Sequence, residues 1–176
     1  MSTTKWALDA THSELGFKIK HLMISNVSGR FNSFDVNVET GNDEFTDANI
    51  TATIDVASIF TNNEQRDGHL RTGDFFEIEK YPNIVFKSTA VKKDGDDLEI
   101  TGNLTMKDVT KTIKLKAEFA GITKDLYGNV KAGFSFAGKL NRKDWGINFN
   151  AALETGGVML GEEVKYEGEI QLVKQA

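Results

Sequence analysis

The sequence predicts an all-β protein, an antiparallel sandwich or barrel interrupted by one short helix near residues 62–72. Three observations carry this. Apolar and polar side chains alternate at a period of two in stretch after stretch. Short polar turn signals separate those stretches. Finally, 12 phenylalanines stand against 3 tyrosines and 2 tryptophans, and rings without a polar handle fit a dry interior better than a wet rim.

In chain order, Leu15, Phe17, Ile19 and His21 share one face of a strand, with Lys18 and Lys20 opposite. Ile50, Ala52, Ile54 and Val56 repeat the pattern against Thr51, Thr53 and Asp55. Thr61-Asn62-Asn63-Glu64 then reads as a capping box and predicts a helix over Asn62–Thr72. Asp67 and Arg71 pair within it at i, i+4, and Gly73 suits a left-handed C-terminal cap. The helix delivers the chain to Asp74-Phe75-Phe76, an aromatic pair that plugs or lines the interior. The sole proline, Pro82, opens a strand over Ile84–Ala90. Further alternating runs are Leu98–Ile100–Gly102–Leu104, Ile113–Leu115–Ala117–Phe119, Phe134–Phe136–Gly138–Leu140 and Val164–Tyr166–Gly168–Ile170–Leu172. Turn signals lie between them at Thr40-Gly41-Asn42-Asp43, Asp94-Gly95-Asp96, Tyr127-Gly128-Asn129 and Gly156-Gly157. One-sided alternation gives each sheet a dry face and a wet one. With no long repeat, linker or low-complexity tract, residues 1–176 read as one domain.

At 176 residues and 19.5 kDa the chain is long enough to build a sizeable core without staples. The 21 basic residues against 26 acidic give a net charge of −5. That balance disfavours nucleic acid or an anionic membrane as partner. The absence of cysteine excludes disulfides, zinc knuckles and thiol catalysis. No stretch approaches the ~18 apolar residues of a membrane span. The first residues carry no apolar signal segment, so the cytoplasm is the expected compartment, or the periplasm or exterior if a leader has been removed.

Catalytic constellations are scarce. His12, His21 and His69 show no HxH or HExxH spacing, so no metal site is expected. Asp9, His12 and Ser13 contain the letters of a hydrolase triad, but on a strand His12 and Ser13 would face opposite sides. No nucleophile-elbow GxSxG exists. Asp74, Glu77 and Glu79 read as a solvated acidic face. The Gly156-Gly157…Gly161 segment lacks the Lys-Ser/Thr of a phosphate loop and reads as a hairpin connection. Two charge clusters remain, Arg66-Asp67-Gly68-His69-Leu70-Arg71 and Asn141-Arg142-Lys143-Asp144-Trp145. Each is either a buried ion pair at a barrel mouth or a polar collar for the head group of an apolar ligand.

Motifs spread over nearly the whole chain resemble the YceI-like family of lipocalin-like proteins associated with polyisoprenoid lipids. They begin with Trp6-Ala7-Leu8-Asp9-Ala10-Thr11-His12-Ser13 and with Phe17-Lys18-Ile19-Lys20-His21-Leu22 leading into Val27-Ser28-Gly29-Arg30-Phe31. The Arg66–Arg71 cluster with Asp74-Phe75-Phe76 follows, then Tyr81-Pro82-Asn83-Ile84-Val85-Phe86-Lys87-Ser88-Thr89. Gly102-Asn103-Leu104-Thr105-Met106-Lys107-Asp108-Val109-Thr110-Lys111 and Asn141-Arg142-Lys143-Asp144-Trp145-Gly146 complete the series. Each motif is weak alone, and the ordered set is specific. Two mild departures are Trp145, where the family commonly has phenylalanine, and Gly68, where a larger residue often sits. The resemblance implies a single extended antiparallel β-barrel of about eight strands, a long isoprenoid chain in its lumen, and often a homodimer. Members are often periplasmic or secreted.

On this reading the lumen walls are Phe17, Ile19, His21, Phe31, Ile54, Phe75, Phe76, Phe86, Leu104, Leu115, Phe119, Phe134, Phe136 and Ile170. Ala52, Gly102, Ala117, Gly138 and Gly168 would leave room for a tail. His12, Arg66, His69, Arg142 and Trp145 would meet a head group such as a diphosphate or a quinone. The leading expectation is non-enzymatic binding, transport or storage of a polyisoprenoid, an isoprenoid quinone or a polyprenyl phosphate, with no other cofactor. Two alternatives remain: a stress-related structural or interaction protein with a filled barrel, and an enzyme acting on a lipid-like substrate with His21 as its inward base.

Overall fold

The computed structural model describes residues 3–22, 24–150 and 160–175. Its eleven strands form one antiparallel sheet that closes on itself. They are β1 (Thr4–Leu8), β2 (Glu14–His21), β3 (Ser25–Phe31), β4 (Phe34–Thr40), β5 (Asn49–Asp55) and β6 (Ile59–Phe60). After helix α1 (Glu64–Leu70) come β7 (Asn83–Asp94), β8 (Asp97–Met106), β9 (Val109–Lys124), β10 (Val130–Asn141) and β11 (Leu160–Lys174).

Three pairs of these strands are single staves broken in the middle, so the barrel has eight staves: β1–β2, β3–β4, β5–β6 and the five strands that follow. The last stave closes on the first, with Leu172 opposite Leu8 and Tyr166 opposite Phe17. The expected antiparallel barrel of about eight strands is therefore present. Two of the three breaks have a local cause. Between β1 and β2, Ala10–His12 form a 3-10 turn, and the Ser13 hydroxyl donates to the Asp9 carbonyl at 2.8 Å. Between β5 and β6, the Asp55 carboxylate accepts from the Ala57 N–H at 3.1 Å and caps a second 3-10 turn. Such side chains offer the backbone an alternative to the ladder. The region around His12 and Ser13 is thus a turn, where the sequence suggested a strand.

The alternating runs read in the sequence lie on strands, except that Val56, the last residue of the Ile50–Val56 run, falls in the second 3-10 turn; bulges extend two of the strands. Ala120 is an extra residue between Phe119, opposite Phe134, and Gly121, opposite Gly133. A shift at Thr89 lets β7 run on to Asp94, past the expected end at Ala90. Bulges of this kind bend a strand and increase its twist, which a closing sheet requires.

The two ends of the barrel differ. At the lower end, Phe45 comes inward from the β4–β5 connection and is 2% exposed. It packs on Trp6 at 5.2 Å, Phe119 at 5.3 Å and Phe134 at 4.9 Å between centroids. Phe119 and Phe134 stack at 5.0 Å, and the Trp6 indole donates to Thr40 Oγ1 at 3.2 Å. Phe45 reaches this position with φ +63, a strained conformation for a bulky residue. At the upper end the sheet opens. Pairing of β9 with β10 stops at Lys116 opposite Ala137, although β8–β9 and β10–β11 continue upward. The turn Arg142–Trp145 follows β10, with Trp145 2% exposed and its indole donating to the Leu104 carbonyl at 2.9 Å.

Helix α1 is shorter than the sequence suggested and is capped differently. Asn63, not Thr61, is the N-cap, its side chain accepting from the Arg66 N–H at 3.0 Å. The backbone N–H and the hydroxyl of Thr61 both donate to Asp67, which is buried. Arg71 donates to the carbonyls of Ala57 and Ile59 instead of pairing with Asp67. Arg71 ends the helix in right-handed geometry, so Gly73 is not a left-handed cap. Tertiary partners across the break at Val56–Ser58 outcompete the local pairs. Among the described residues, no helix is long and apolar enough to cross a membrane.

Candidate functional site

The inward side chains enclose a cavity of about 390 Å³. The barrel is hollow, and the solid-core alternative loses its basis. Phe17, Ile19, His21, Phe31, Ile54, Phe86, Leu104, Leu115, Phe134, Phe136 and Ile170 line the cavity, as the alternation predicts, and Phe75 and Phe76 line it from beyond α1. Phe119 does not. It faces inward in regular register opposite Phe134, but at the level of the floor, where Phe45 and Phe134 pack against it.

The inward glycines work differently from the expectation. Gly138 lies opposite Tyr166, and a Cβ there would strike the Tyr166 ring. Gly168 lies opposite Phe136, whose ring would be 2.7 Å from the added carbon. Gly29 lies opposite Phe17 in the same relation, and Phe86 covers Gly102 at 2.5 Å. The space each glycine frees is already taken by a neighbouring ring. Laid against the wall in this way, the rings stand less far into the lumen, a cross-strand pairing of aromatic and glycine. Ala52 and Ala117 do face the cavity directly.

The expected head-group residues separate into two sets. Arg66, His69 and Arg142 line the upper part of the cavity. The Arg66 guanidinium donates to Thr61 Oγ1 at 2.7 Å and to the Thr61 carbonyl at 2.6 Å. The His69 ring is held by Asp74 at 2.8 Å and lies edge-on to Phe75 and Phe149, at 5.1 and 4.8 Å between centroids. Arg142 is only 3% exposed. Its Nε donates to the Gly161 carbonyl at 2.9 Å, and Nη1 to those of Ile147 and Phe149, both at 2.8 Å. Among the described residues its Nη2 is buried without a hydrogen-bond partner. Burial lowers the Arg142 pKa, and the charge of Glu162 partly offsets that.

His12 and Trp145 do not join them. Trp145 is spent in the wall against Leu104. His12 sits outside the barrel at the break between β1 and β2, bonded to Asp9 at 2.8 Å. Lys131 Nζ donates to the same carboxylate at 2.7 Å and reaches Asp125 at 3.6 Å. Lys131 first, and then His12 and Thr11, hold the Asp9 carboxyl well below the usual carboxylate range. The hydrolase letters do not assemble: Ser13 Oγ faces the Asp9 carbonyl and accepts from the Gln171 N–H at 3.0 Å, not from His12. Among the described residues, no group of three histidines or carboxylates could hold a metal.

Tyr166, Phe45 and Phe149 belong to the site and were not singled out in the sequence. The Tyr166 hydroxyl is buried without a partner, and burial pushes its pKa up to about 12. A lone Phe45 in the polar run Asn42–Asp47 was the available signal for the floor.

The profile of the YceI-like domain matches residues 6–172. The chain belongs to the YceI-like family. A UPF0312 protein of Staphylococcus aureus (strain N315) is 43% identical over 169 residues, covering 96% of both chains. Among solved structures, a Campylobacter jejuni YCEI protein is 35% identical, with a TM-score of 0.76 over 96% of this chain and 97% of that one. A polyisoprenoid binding domain from Saccharophagus degradans shares the fold at 16% identity, with a TM-score of 0.70 over 97% and 98%. This YceI-like barrel therefore carries a hollow apolar lumen with its polar groups gathered at one end.

Proposed function

We propose that this protein binds one long-chain polyisoprenoid, or a similar amphiphilic lipid, in its lumen and carries or stores it without turnover. The cavity is the observation that supports the reading. Its volume of about 390 Å³ falls within the ~300–1,000 Å³ of small-molecule sites, and apolar side chains from every stave wall it. Each methylene taken out of water contributes ~0.8 kcal/mol, so a long tail needs little polar help. The ligand class draws support from the polyisoprenoid binding domain of the same fold; isoprenoid quinones and polyprenyl phosphates are members of that class. The turned-away Ser13 favours binding over hydrolysis.

Organic extraction of freshly purified protein, analysed by mass spectrometry beside native mass spectrometry of the intact chain, tests the proposal. A long-chain isoprenoid at one per chain is expected, with occupancy reduced by Ala52→Phe, which narrows the lumen. An empty protein that also fails to take up added isoprenoid quinone or polyprenyl phosphate overturns it.

A further inference from the structure

The lumen has a blind end, and one side chain that belongs to no stave sets its position. Phe45 comes in from the β4–β5 connection and lines the cavity. Trp6 and Phe119, packed on it at 5.2 and 5.3 Å between centroids, do not line it. Trp6 is 2% exposed, so the space past Phe45 is filled. A residue stops a bore by the volume it occupies, and in a close-packed floor it needs no exposed surface to do so. The connection also keeps its shape without help from that ring. Asn42 Oδ1 accepts from the Glu44 N–H at 3.0 Å, and Asn42 Nδ2 donates to Thr46 Oγ1 at 2.9 Å. Asp47 accepts from the Gly41 N–H at 2.9 Å. Local polar bonds of this kind fix a turn on their own, which leaves the size of residue 45 free to vary.

We infer that Phe45 is the length stop of the lumen: it sets how many isoprene units are buried, and so selects cargo by tail length. The inference rests on the lipid-binding reading above and adds a limit to it. What reaches Phe45 is the far end of the tail, because the rings that meet it are Trp6, Phe119 and Phe134. The one polar group among them, the Trp6 indole N–H, is already donated to Thr40. Removing the Phe45 ring joins its space to the lumen and frees room on the scale of one more isoprene unit. A larger ring takes room away.

The test holds the head constant and varies the tail. Delipidated protein is equilibrated with equimolar prenyl monophosphates, from geranyl upward one isoprene unit at a time, and separately with isoprenoid quinones graded in the same way. Native mass spectrometry reads the occupancy of each homologue. Within a series, occupancy should rise about tenfold with each unit buried and level off at one tail length. Phe45→Ala should move that break one unit longer and Phe45→Trp one unit shorter, with the ranking of shorter homologues unchanged. In the unaltered protein, the terminal methyl groups of the break homologue should show intermolecular nuclear Overhauser contacts to the Phe45 ring. That measurement needs no variant, so a misfolded Phe45→Ala does not blunt it. A series without a break, a break that stays in place in the folded variants, or contacts to Phe45 from the head-proximal units or from no part of the ligand overturns the inference and leaves lipid binding standing. If neither series binds at any length, the lipid-binding reading falls and takes the length stop with it.

Discussion

The lower and upper halves of this barrel are made from the same alternating strands, yet they spend their side chains differently. Below, β9, β10 and β11 stay paired, past one bulge at Ala120, and an aromatic quartet closes the floor. Above, β9 and β10 part after Lys116 and Ala137, and the gap region is managed by a short helix, a 3-10 turn and polar groups bonded to backbone carbonyls. The lower half supplies close packing, and the upper half supplies chemistry and access. A hollow barrel needs this division, because a lumen removes the centre of the usual core and the remaining contacts must concentrate somewhere.

The sharpest way to break the comparison is Phe45→Ala. It empties the floor and should cost about 3–5 kcal/mol, read as a lowered midpoint in urea. Asp67→Ala comes next. It strands the backbone N–H and hydroxyl of Thr61 and should cost about 1–3 kcal/mol. Its effect should concentrate in amide exchange of α1 and the residues that follow. If exchange rises equally in β9 and β10, the two halves are one cooperative unit and the division fails.

Acid sharpens the comparison from the outside of the wall. Because the folded-state pKa of Asp9 is depressed, its stabilisation is complete above the ordinary aspartate value near ~3.9. It is lost progressively as pH falls through that value toward the folded one. The Tm gap between the protein and Asp9→Asn should therefore be widest near neutral pH and shrink steadily below about pH 4; a gap that stays constant removes the ion pair from the account. Gly68→Ala is the smallest expected effect. Nothing lies within 4 Å of an added Cβ, so helix propensity alone should stabilise α1 by about 0.5–1 kcal/mol, visible as slower local exchange.

How far the sequence anticipates this molecule follows the same division. Strands are legible because a period of two is a local property, and the alternating runs, from Leu15–His21 to Val164–Leu172, lie on strands, Val56 alone having left its run for a 3-10 turn. The wall residues follow from face alone. Phe119 has the face that the pattern gives it but not the height: it lies in the floor because Phe45 comes in from the β4–β5 connection, and alternation says nothing of where along the bore a plug sits. At the upper end the partners do not follow the helix spacing: Trp145 meets Leu104, 41 residues back, and Asp67 turns from Arg71 to Thr61, which precedes the helix. The motif containing His12 is legible as a motif, but its location outside the lumen depends on the 3-10 turn that breaks the first stave. The hairpin expected at Gly156-Gly157 lies outside the described residues.

The pairing of Gly138 with Tyr166, Gly168 with Phe136 and Gly29 with Phe17 has a bearing on cargo choice. The calibre of the bore is set less by its largest residues than by its smallest. An added methyl group at Gly138 or Gly29 meets side chains, the Tyr166 or the Phe17 ring first, whereas at Gly168 it meets the backbone carbonyl of Glu14 on the adjoining strand before the Phe136 ring. The gauge is therefore most readily reset at Gly138 and Gly29, where a ring gives way and the ladder does not.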